Sequence, residues 1–202
     1  MTTGARGGAD GRVRCDWANS TPDYVTYHDR EWGYPVDDDA LLFERLCLEG
    51  FQSGLSWLTI LRKRDAFRTV FHQFDVARVA AMGEDDVIRL LADQRIVRHR
   101  GKIEATIGNA RSAMRVIEEL GSLGVLVWAF EPGRHVSTGA TETAESRALA
   151  AQLKRRGFRF VGPTTVYAFM EAMGLVNDHH PACFVHGLVE EARARFSRPG
   201  TV

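Results

Sequence analysis

Glu49 is a carboxylate on what should be the apolar face of a helix. Leu42, Leu46 and Glu49 are spaced i, i+4 and i+7, so they share one face of a helix that is expected to end near Gly50. Because a bare carboxylate is costly to bury, this side chain either pairs with a cation or faces a cavity. Trp57 follows eight residues later, and an acceptor beside an aromatic plane can recognise a flat ring that carries an amine. The alternative is a glutamate at a helix end that is paired with an arginine.

Aromatic residues are concentrated in the N-terminal segment of the chain. They are Trp17, Tyr24, Tyr27, Trp32 and Tyr34. Accessible rings can stack on nucleobases, at about 1–3 kcal/mol per base, whereas buried rings would simply form part of the core. The sequence alone leaves both interpretations open.

Two cysteine–histidine pairs lie near opposite ends of the chain. Cys15 precedes His28 by thirteen positions, and His179 precedes Cys183 by four. Two thiolates and two imidazoles form the ligand set of a closed tetrahedral zinc site. Such a site would be structural, because four protein ligands leave no position for a catalytic water. The ligand order is not that of a zinc finger, so a chance arrangement is the alternative.

Other cysteines and histidines bear on the same question. His180 and His186 are alternative ligands by sequence position, whereas Cys47 lies in an apolar helix and is expected in the core. Three cysteines cannot all pair within the chain, which argues against a secreted disulfide scaffold. We therefore expect a cytoplasmic protein.

A short basic segment over 94–101 joins two predicted helices. The net charge is zero, with 26 basic and 26 acidic residues, so only a local cluster can indicate a nucleic-acid partner. Arg98, Arg100, Gly101 and Lys102 lie at the start of the second helix. Its free N–H groups and these cations can hold a DNA phosphate, as a helix-hairpin-helix motif requires. An ordinary helix turn with surface arginines is the alternative.

Helical spacing dominates the rest of the chain. The predicted helices cover 40–48, 55–71, 76–82, 84–91, 102–120, 145–156 and 163–174. Gly50 and Gly54 are expected to interrupt the pattern between the first two. Residues 134–144 are rich in Ser, Thr and Gly and predict a loop, and 158–161 is the one suggestive strand. The pattern predicts an all-α protein.

Composition favours one compact domain. The chain has 202 residues, of which 45% are hydrophobic, so it can bury a substantial core. We expect a disordered lead over 1–13, a single α-helical domain over 14–186 with two lobes that share a pocket, and a charged tail over 187–202. No apolar run approaches the roughly 18 residues that a membrane helix needs.

Several longer segments, in order from about residue 14 to 183, provide the most specific signal. They are Arg14-Cys15-Asp16-Trp17, Tyr27-His28-Asp29, Glu31-Trp32-Gly33, Cys47-Leu48-Glu49-Gly50, Gly54-Leu55-Ser56-Trp57, Arg98-His99-Arg100-Gly101-Lys102-Ile103, Gly108-Asn109-Ala110-Arg111, Arg156-Gly157-Phe158, Phe160-Val161-Gly162 and Gly174-Leu175-Val176-Asn177-Asp178-His179. With these segments the chain resembles the bacterial type I 3-methyladenine DNA glycosylases.

The resemblance implies a fold, a cofactor and residue roles. The fold is that of the helix-hairpin-helix DNA glycosylases, with a structural zinc ion that joins the N- and C-terminal segments. The implied zinc ligands are Cys15, His28, His179 and Cys183. The resemblance also implies that Glu49 hydrogen-bonds the excised base while Trp57 and Tyr27 sandwich it. By the same resemblance, Trp17 and Tyr24 are expected to be further residues of the base-binding pocket. The resemblance also implies that the catalytic aspartate of the fold relatives is absent, so none is assigned.

The activity implied by the resemblance is hydrolytic excision of 3-methyladenine from double-stranded DNA. We expect a monomer that leaves an abasic site and does not cleave the strand, since no lysine stands out as a Schiff-base nucleophile. The alternatives are a glycosylase for another N3-alkylated purine, a non-catalytic zinc-stabilised DNA-binding module, and a helical bundle for protein interaction. The presence of Glu49, Trp57 and Tyr27 together favours an enzyme.

Overall fold

A computed structural model describes residues 4–133 and 139–200, which are mostly helical, as the sequence predicts. Two short antiparallel strands, β1 (Ala5–Gly7) and β2 (Val13–Cys15), precede the helices. The helices are α1 (Pro22–Arg30), α2 (Asp39–Gln52), α3 (Trp57–Val70), α4 (Val76–Ala80), α5 (Glu84–Ala92), α6 (Arg100–Leu120), α7 (Leu123–Trp128), α8 (Ala144–Arg155), α9 (Pro163–Ala172) and α10 (Phe184–Arg195). Within the described residues, no helix has the length and apolar character needed to cross a membrane.

The central element of the fold is α2. Every residue from Leu42 to Phe51 is buried, and the helix contacts α3, α4, α6, α7 and α9. A helix enclosed on all sides needs partners for any charge that it bears. Glu44 pairs with Arg68 of α3, and Arg45 pairs with Glu49 one turn along α2 itself. The second of these buried ion pairs borders the cavity described below.

The glycine at position 50 allows close packing and does not interrupt α2, which continues to Gln52. A Cβ atom at Gly50 would lie 3.2 Å from Cβ of Phe160, so a larger residue would press against the segment that follows α8. Phe160 itself has a φ of +56°, in the left-handed region. That backbone conformation is incompatible with an extended strand, so the strand expected over 158–161 does not form.

The cap of α2 gives a measurable prediction for stability. The Asp38 side chain accepts a hydrogen bond from the backbone N–H of Leu41 at 2.9 Å, as an N-cap residue does. Asp38→Ala should therefore lower the free energy of unfolding by about 1 kcal/mol in urea denaturation. Asp37→Ala removes a neighbouring exposed carboxylate that does not cap the helix. Equal losses for the two variants would contradict the capping role.

The N-terminal lead differs from the expectation of disorder over 1–13. Within the described part of that segment, β1 pairs with β2, with Ala5 opposite Cys15. Arg14 is buried and its guanidinium lies 2.7 Å from the Asp10 carboxylate. The Gly-rich composition allows the tight turn between the strands, and the ion pair fixes it.

The C-terminal segment also differs from the expected charged tail over 187–202. Helix α10 continues to Arg195, because Val185 and Val189 are one turn apart and both are fully buried. The charges of this segment have partners too: Arg193 lies 3.0 Å from Glu131. The boundary at 186 therefore falls inside a helix, and the single domain over 14–186 otherwise stays a prediction.

Helices α1 and α7 are absent from the sequence-based assignment, and the loop expected over 134–144 is only partly described. Residues 134–138 lie outside the described residues, and α8 begins at Ala144. Both missed helices are short. Thr21 caps α1 and Ser122 caps α7 through their side-chain oxygens. The caps are recognisable in the sequence, but α1 is mostly polar and α7 is apolar at nearly every position, so neither shows the alternation of apolar and polar residues that indicates a helix.

Candidate active site

A cavity of about 490 Å³ lies beside α2, bordered by α1, α3, α9 and the N-terminal segment. Pockets of roughly 300–1,000 Å³ commonly bind small molecules. Six aromatic side chains line it: Trp17, Tyr24, Tyr27, Trp32, Trp57 and Tyr167. Glu49 lines it as well, so the structure brings together all five residues that the sequence analysis expects around the base.

Glu49 is the buried anion of this cavity, with only 3% of its surface exposed. Arg45 donates from Nε to Oε1 at 2.8 Å, and a terminal nitrogen of the same guanidinium lies 2.7 Å from that oxygen. Among the described residues, no group hydrogen-bonds Oε2, which is left for a ligand. Burial raises the pKa of the Glu49 carboxyl above its usual value, and the charge of Arg45 opposes this rise. Both meanings of Glu49 left open by the sequence therefore apply: it pairs with an arginine and it faces a cavity.

The aromatic rings offer one stacking face rather than a slot between two rings. The ring centres of Tyr27 and Trp57 are 5.6 Å apart and the planes are tilted by 49°. A flat ring between two parallel rings would need a separation of roughly 7 Å, or two contact distances of about 3.5 Å. In this arrangement a base cannot be sandwiched by Trp57 and Tyr27 as expected, and it must pack against one side of the pair.

Hydrogen bonds fix some of the aromatic side chains, but two buried donors, the hydroxyl of Tyr27 and Nε1 of Trp57, lack a partner among the described residues. The Tyr24 hydroxyl accepts from the backbone N–H of Leu58 at 2.9 Å and packs edge-on against Trp17, with ring centres 5.3 Å apart. Nε1 of Trp57 is buried and has no hydrogen-bond partner among the described residues. An unsatisfied buried donor costs about 1–3 kcal/mol, which a ligand with an acceptor in the cavity would offset.

A second acidic group borders the cavity and is missed by the sequence analysis. Glu171 of α9 lines the cavity, and burial, followed by the charge of Asp178, raises the pKa of its carboxyl well above the usual value. Asp178 also accepts a hydrogen bond of 2.7 Å from the hydroxyl of Tyr167. Asp178 is adjacent in sequence to a candidate metal ligand, but no spacing rule links it to α9, so only the folded chain brings these groups together.

A group of metal-ligating side chains lies next to the cavity. The ligand atoms of Cys15, His28 and Cys183 all lie within 4.8 Å of one another, and all three residues are buried. Hydrogen bonds from Cys15 and His28 hold the pKa of the Cys183 thiol well below its usual range. A thiolate beside a second sulfur and an imidazole is a donor set that suits zinc.

His179 fits the role of the fourth ligand. Its ring centre is 4.9 Å from that of His28, and its buried Nε2 has no hydrogen-bond partner among the described residues. The other ring nitrogen, Nδ1, lies 2.9 Å from Oδ1 of Asn177. Burial lowers the pKa of His179 to about 4, so the imidazole is neutral and Nε2 can bind a metal. His28 is oriented in the same way by Asp29, whose carboxylate lies 2.9 Å from its Nδ1.

The alternative ligands are placed differently. His180 accepts a hydrogen bond from the backbone of Ala182 through Nδ1, and Cys47 is buried in α2 among core residues. His186 lies in α10 and is not part of the group. The fold therefore gathers three of the four donors that the sequence spacing suggested, Cys15, His28 and Cys183, and places the ring of His179 next to that of His28.

The cations around the start of α6 differ in exposure. Arg98 is exposed and has no ion-pair partner among the described residues, whereas Arg100 pairs with Glu84 and Glu104 at the surface. Lys102 is buried, and its Nζ donates to the carbonyls of Phe51 and Ser53 at 2.9 and 2.6 Å. Its ammonium is therefore engaged at the C-terminal end of α2, so it is not available for the expected phosphate contact.

The methyladenine glycosylase family model matches residues 17–186. The chain belongs to this family. It is accordingly a glycosylase, an enzyme that hydrolyses N-glycosyl bonds. DNA-3-methyladenine glycosylase 1 of Escherichia coli K12 is 50% identical over 177 residues, which are 84% of this chain and 95% of the relative. DNA-3-methyladenine glycosylase of Haemophilus influenzae is 42% identical over 179 residues, 85% of this chain and 96% of the relative.

Solved structures agree with this assignment. A crystal structure of 3-methyladenine DNA glycosylase I matches with a TM-score of 0.80 at 51% identity and covers 86% of this chain and 99% of its own. A structure that describes 3-methyladenine recognition by the Staphylococcus aureus enzyme also has a TM-score of 0.80, at 36% identity, with 85% and 95% covered. The glycosylase fold implied by the sequence is thus confirmed.

Proposed function

We propose that this enzyme excises 3-methyladenine from alkylated double-stranded DNA by hydrolysis and leaves an abasic site. The observation on which the proposal depends is the buried Glu49 carboxylate, which lines the cavity together with Trp57 and keeps Oε2 for a ligand. A planar ring with a positive charge and an exocyclic amine is complementary to this arrangement. The relatives in Escherichia coli and Haemophilus influenzae are named for the same activity, which supports the proposal.

The chemistry required of the protein is modest. Methylation at N3 gives adenine a positive charge and weakens its bond to the sugar, so the base leaves as a neutral molecule. The nucleotide must first leave the stack, at a cost of a few kcal/mol. Glu49 then accepts a hydrogen bond from the exocyclic amine and favours the cationic ring, while Trp57 packs on its face. Water attacks C1′ of the sugar. Recognition and positioning supply most of the rate, without a strong catalytic acid.

The test of this function is a base-release assay. Duplex DNA treated with a methylating agent is incubated with the enzyme, and the free bases are separated by chromatography. Release of 3-methyladenine with the strands intact supports the proposal. Release of a different N3-alkylated purine alone would identify the alternative glycosylase, and duplex binding without any release would identify a non-catalytic DNA-binding module.

We also propose a structural zinc ion held by Cys15, His28, His179 and Cys183. The nearby donor atoms of Cys15, His28 and Cys183 and the unpartnered Nε2 of His179 support this ligand set. When bound, the ion would cross-link the N-terminal segment to the segment before α10. It would take no direct part in the chemistry of base excision, since four protein ligands leave no open position for a water. That the enzyme acts as a cytoplasmic monomer stays a prediction.

We propose that the start of α6 and the residues just before it contact the DNA backbone through Arg98, Arg100 and the backbone at Gly101. Arg98→Ala should weaken binding to nonspecific duplexes of all sequences alike. It should also reduce the slope of log K against log salt concentration by about 1, the loss of one phosphate contact. Titration of a fluorescent duplex at several salt concentrations measures both quantities.

A charge-matched control separates this contact from a general loss of positive charge. Arg195 lies in α10, and 81% of its side chain is exposed. Arg195→Ala removes the same charge far along the chain from the hairpin and should leave the slope unchanged. Identical salt slopes for Arg98→Ala and the wild type would remove Arg98 from the proposed interface.

A further inference from the structure

The guanidinium of Arg45 lies where the ligand of the cavity is expected. Its side chain is 9% exposed and donates to Oε1 of Glu49. Its Cζ is 3.8 Å from the centre of the Trp57 ring and 5.0 Å from that of Tyr27. One residue thus contacts both the anion and the aromatic face that the proposed function assigns to the methylated base.

The chemistry of a guanidinium is close to that of the proposed substrate. It is a planar, delocalised cation with N–H donors at its edge, and it is attracted to the face of an aromatic ring. An adenine methylated at N3 and still joined to its sugar is also planar and cationic, with an N–H donor in its exocyclic amine. Arg45 therefore makes the same two kinds of interaction that the base would make, a hydrogen bond to the Glu49 carboxylate, here at Oε1, and a cation–π contact with Trp57.

We propose that Arg45 is a specificity-determining residue that occupies the place of the cationic base against Glu49 and Trp57 and competes with that base for the cavity. The inference rests on the proposed function of the cavity. It goes beyond that function because it gives a role to a residue that neither the sequence analysis nor the proposed mechanism uses.

The distance between Arg45 and Trp57 means that Arg45 and the base compete for the same face of the Trp57 ring. A separation of 3.8 Å between Cζ and the ring centre is a contact distance, so no base fits between Arg45 and that face of Trp57. If the guanidinium stays, two cations lie against one buried carboxylate and repel each other in a cavity of low dielectric constant. A base that packs on this face must therefore displace Arg45 from Trp57, and a cationic ligand is penalised more than a neutral one as long as Arg45 remains nearby.

The proposal is tested by comparing two ligands that differ in charge. The probes are 3,9-dimethyladeninium, which has a fixed positive charge like the base in DNA, and free 3-methyladenine, which is neutral at mildly alkaline pH. Quenching of tryptophan fluorescence gives the dissociation constant of each. Arg45→Met, which keeps the length of the side chain without its charge, should bind the cation about tenfold more tightly, a change of about 1.4 kcal/mol. Its affinity for the neutral ligand should change by much less.

The matched control is Arg68→Met. Arg68 donates from Nε to the buried Glu44 of α2 at 3.1 and 2.9 Å, but it does not line the cavity. This variant should bind both ligands as the wild type does. Unchanged or weaker binding of the cation by Arg45→Met would overturn the proposal, and weaker binding would mean that Arg45 instead keeps Glu49 ionised for the ligand.

A measurement on the wild-type protein covers the case in which Arg45→Met does not fold. The Nε–H group of Arg45 is held by Glu49 inside the protein, so it should give a slowly exchanging nitrogen NMR signal. Saturation with 3,9-dimethyladeninium should shift or remove this signal, whereas an unmoved signal would overturn the displacement. If neither ligand quenches the fluorescence of the wild type, the proposed function of the cavity fails together with this inference. Binding without any effect on Arg45 overturns the inference alone.

Discussion

Glu49→Gln is expected to slow the release of 3-methyladenine by about 10²–10³-fold, the loss typical when one preorganised electrostatic contact is removed from an active site. Glutamine keeps the shape of the side chain and an oxygen that can accept from Arg45. It removes the negative charge that favours the cationic ring. The substitution also leaves the buried Arg45 without its counter-charge, so the free energy of unfolding should fall by about 3–5 kcal/mol, and the rate is measured at a temperature where the variant stays folded. Single-turnover release from methylated duplex DNA, followed by chromatography, measures it.

The pH dependence of release gives the same prediction a second readout. The pKa of Glu49 is raised, first by burial, so the carboxyl takes up a proton at a higher pH than an ordinary glutamate does. Protonation removes the charge, and activity is therefore present above this pKa and lost as the pH falls through it. The wild type should show this acid limb, and Glu49→Gln should be slow without it.

Glu44→Gln is the matched control for this experiment. Glu44 is also a buried glutamate of α2, with 6% of its surface exposed, but its partner is Arg68 and it does not line the cavity. Its replacement should leave both the release rate and the acid limb close to those of the wild type. Release by Glu49→Gln at the wild-type rate would remove Glu49 from the proposed mechanism.

The parts of the fold that the sequence predicts are those with local signals. Asp38 caps α2 and Gly121, with a φ of +87°, ends α6, as the residue types indicate. Helix α10 was missed because its charged residues suggested a frayed tail, although Val185 and Val189 already have helical spacing. The predicted strand at 158–161 is wrong for a reason of tertiary packing. The backbone at Phe160 is left-handed, and this residue packs against α2 where Gly50 has no side chain.

The candidate site also contains some residues that local sequence signals indicate and others whose position depends on tertiary packing. Glu49 was found because a carboxylate on an apolar helix face is conspicuous, and its partner Arg45 was readable too, since i and i+4 residues of a helix are neighbours. The pairing of Glu171 with Asp178 depends on how α9 meets the segment after it, which no local rule gives. Lys102 was assigned to DNA from its charge, but its burial against the end of α2 depends on how α6 crosses that helix.

Cys183→Ser is expected to release the proposed zinc ion and to lower the free energy of unfolding by about 4–5 kcal/mol. The ligands pair positions 15 and 28 with positions 179 and 183, so the ion closes a loop of nearly the whole chain. A cross-link that closes about 100 residues removes about 4.7 kcal/mol of denatured-state freedom in the chain-entropy account. Elemental analysis of the purified protein and urea denaturation, with and without a chelator, measure the two effects.

Cys47→Ala separates loss of the ion from loss of a buried cysteine. Cys47 is 3% exposed in α2 and lies apart from the metal-ligating group. This variant should retain zinc and lose about 1 kcal/mol, the usual cost of a single substitution. A chelator should destabilise Cys47→Ala and the wild type, but not Cys183→Ser. Wild-type protein that is purified without zinc, and that is no more stable than Cys183→Ser, would contradict the metal site.

Loss of the ion should also change the base cavity, because two tryptophans that line the cavity pack against proposed zinc ligands. Trp17 packs edge-on against His28 with ring centres 5.3 Å apart, and Trp32 packs against His179 at 4.5 Å. Both tryptophans line the cavity. We therefore expect Cys183→Ser to bind 3-methyladenine more weakly even at temperatures where it stays folded, whereas Cys47→Ala should bind as the wild type does. The cross-link would then do more than join the chain ends: it would hold one aromatic side of the base site in place.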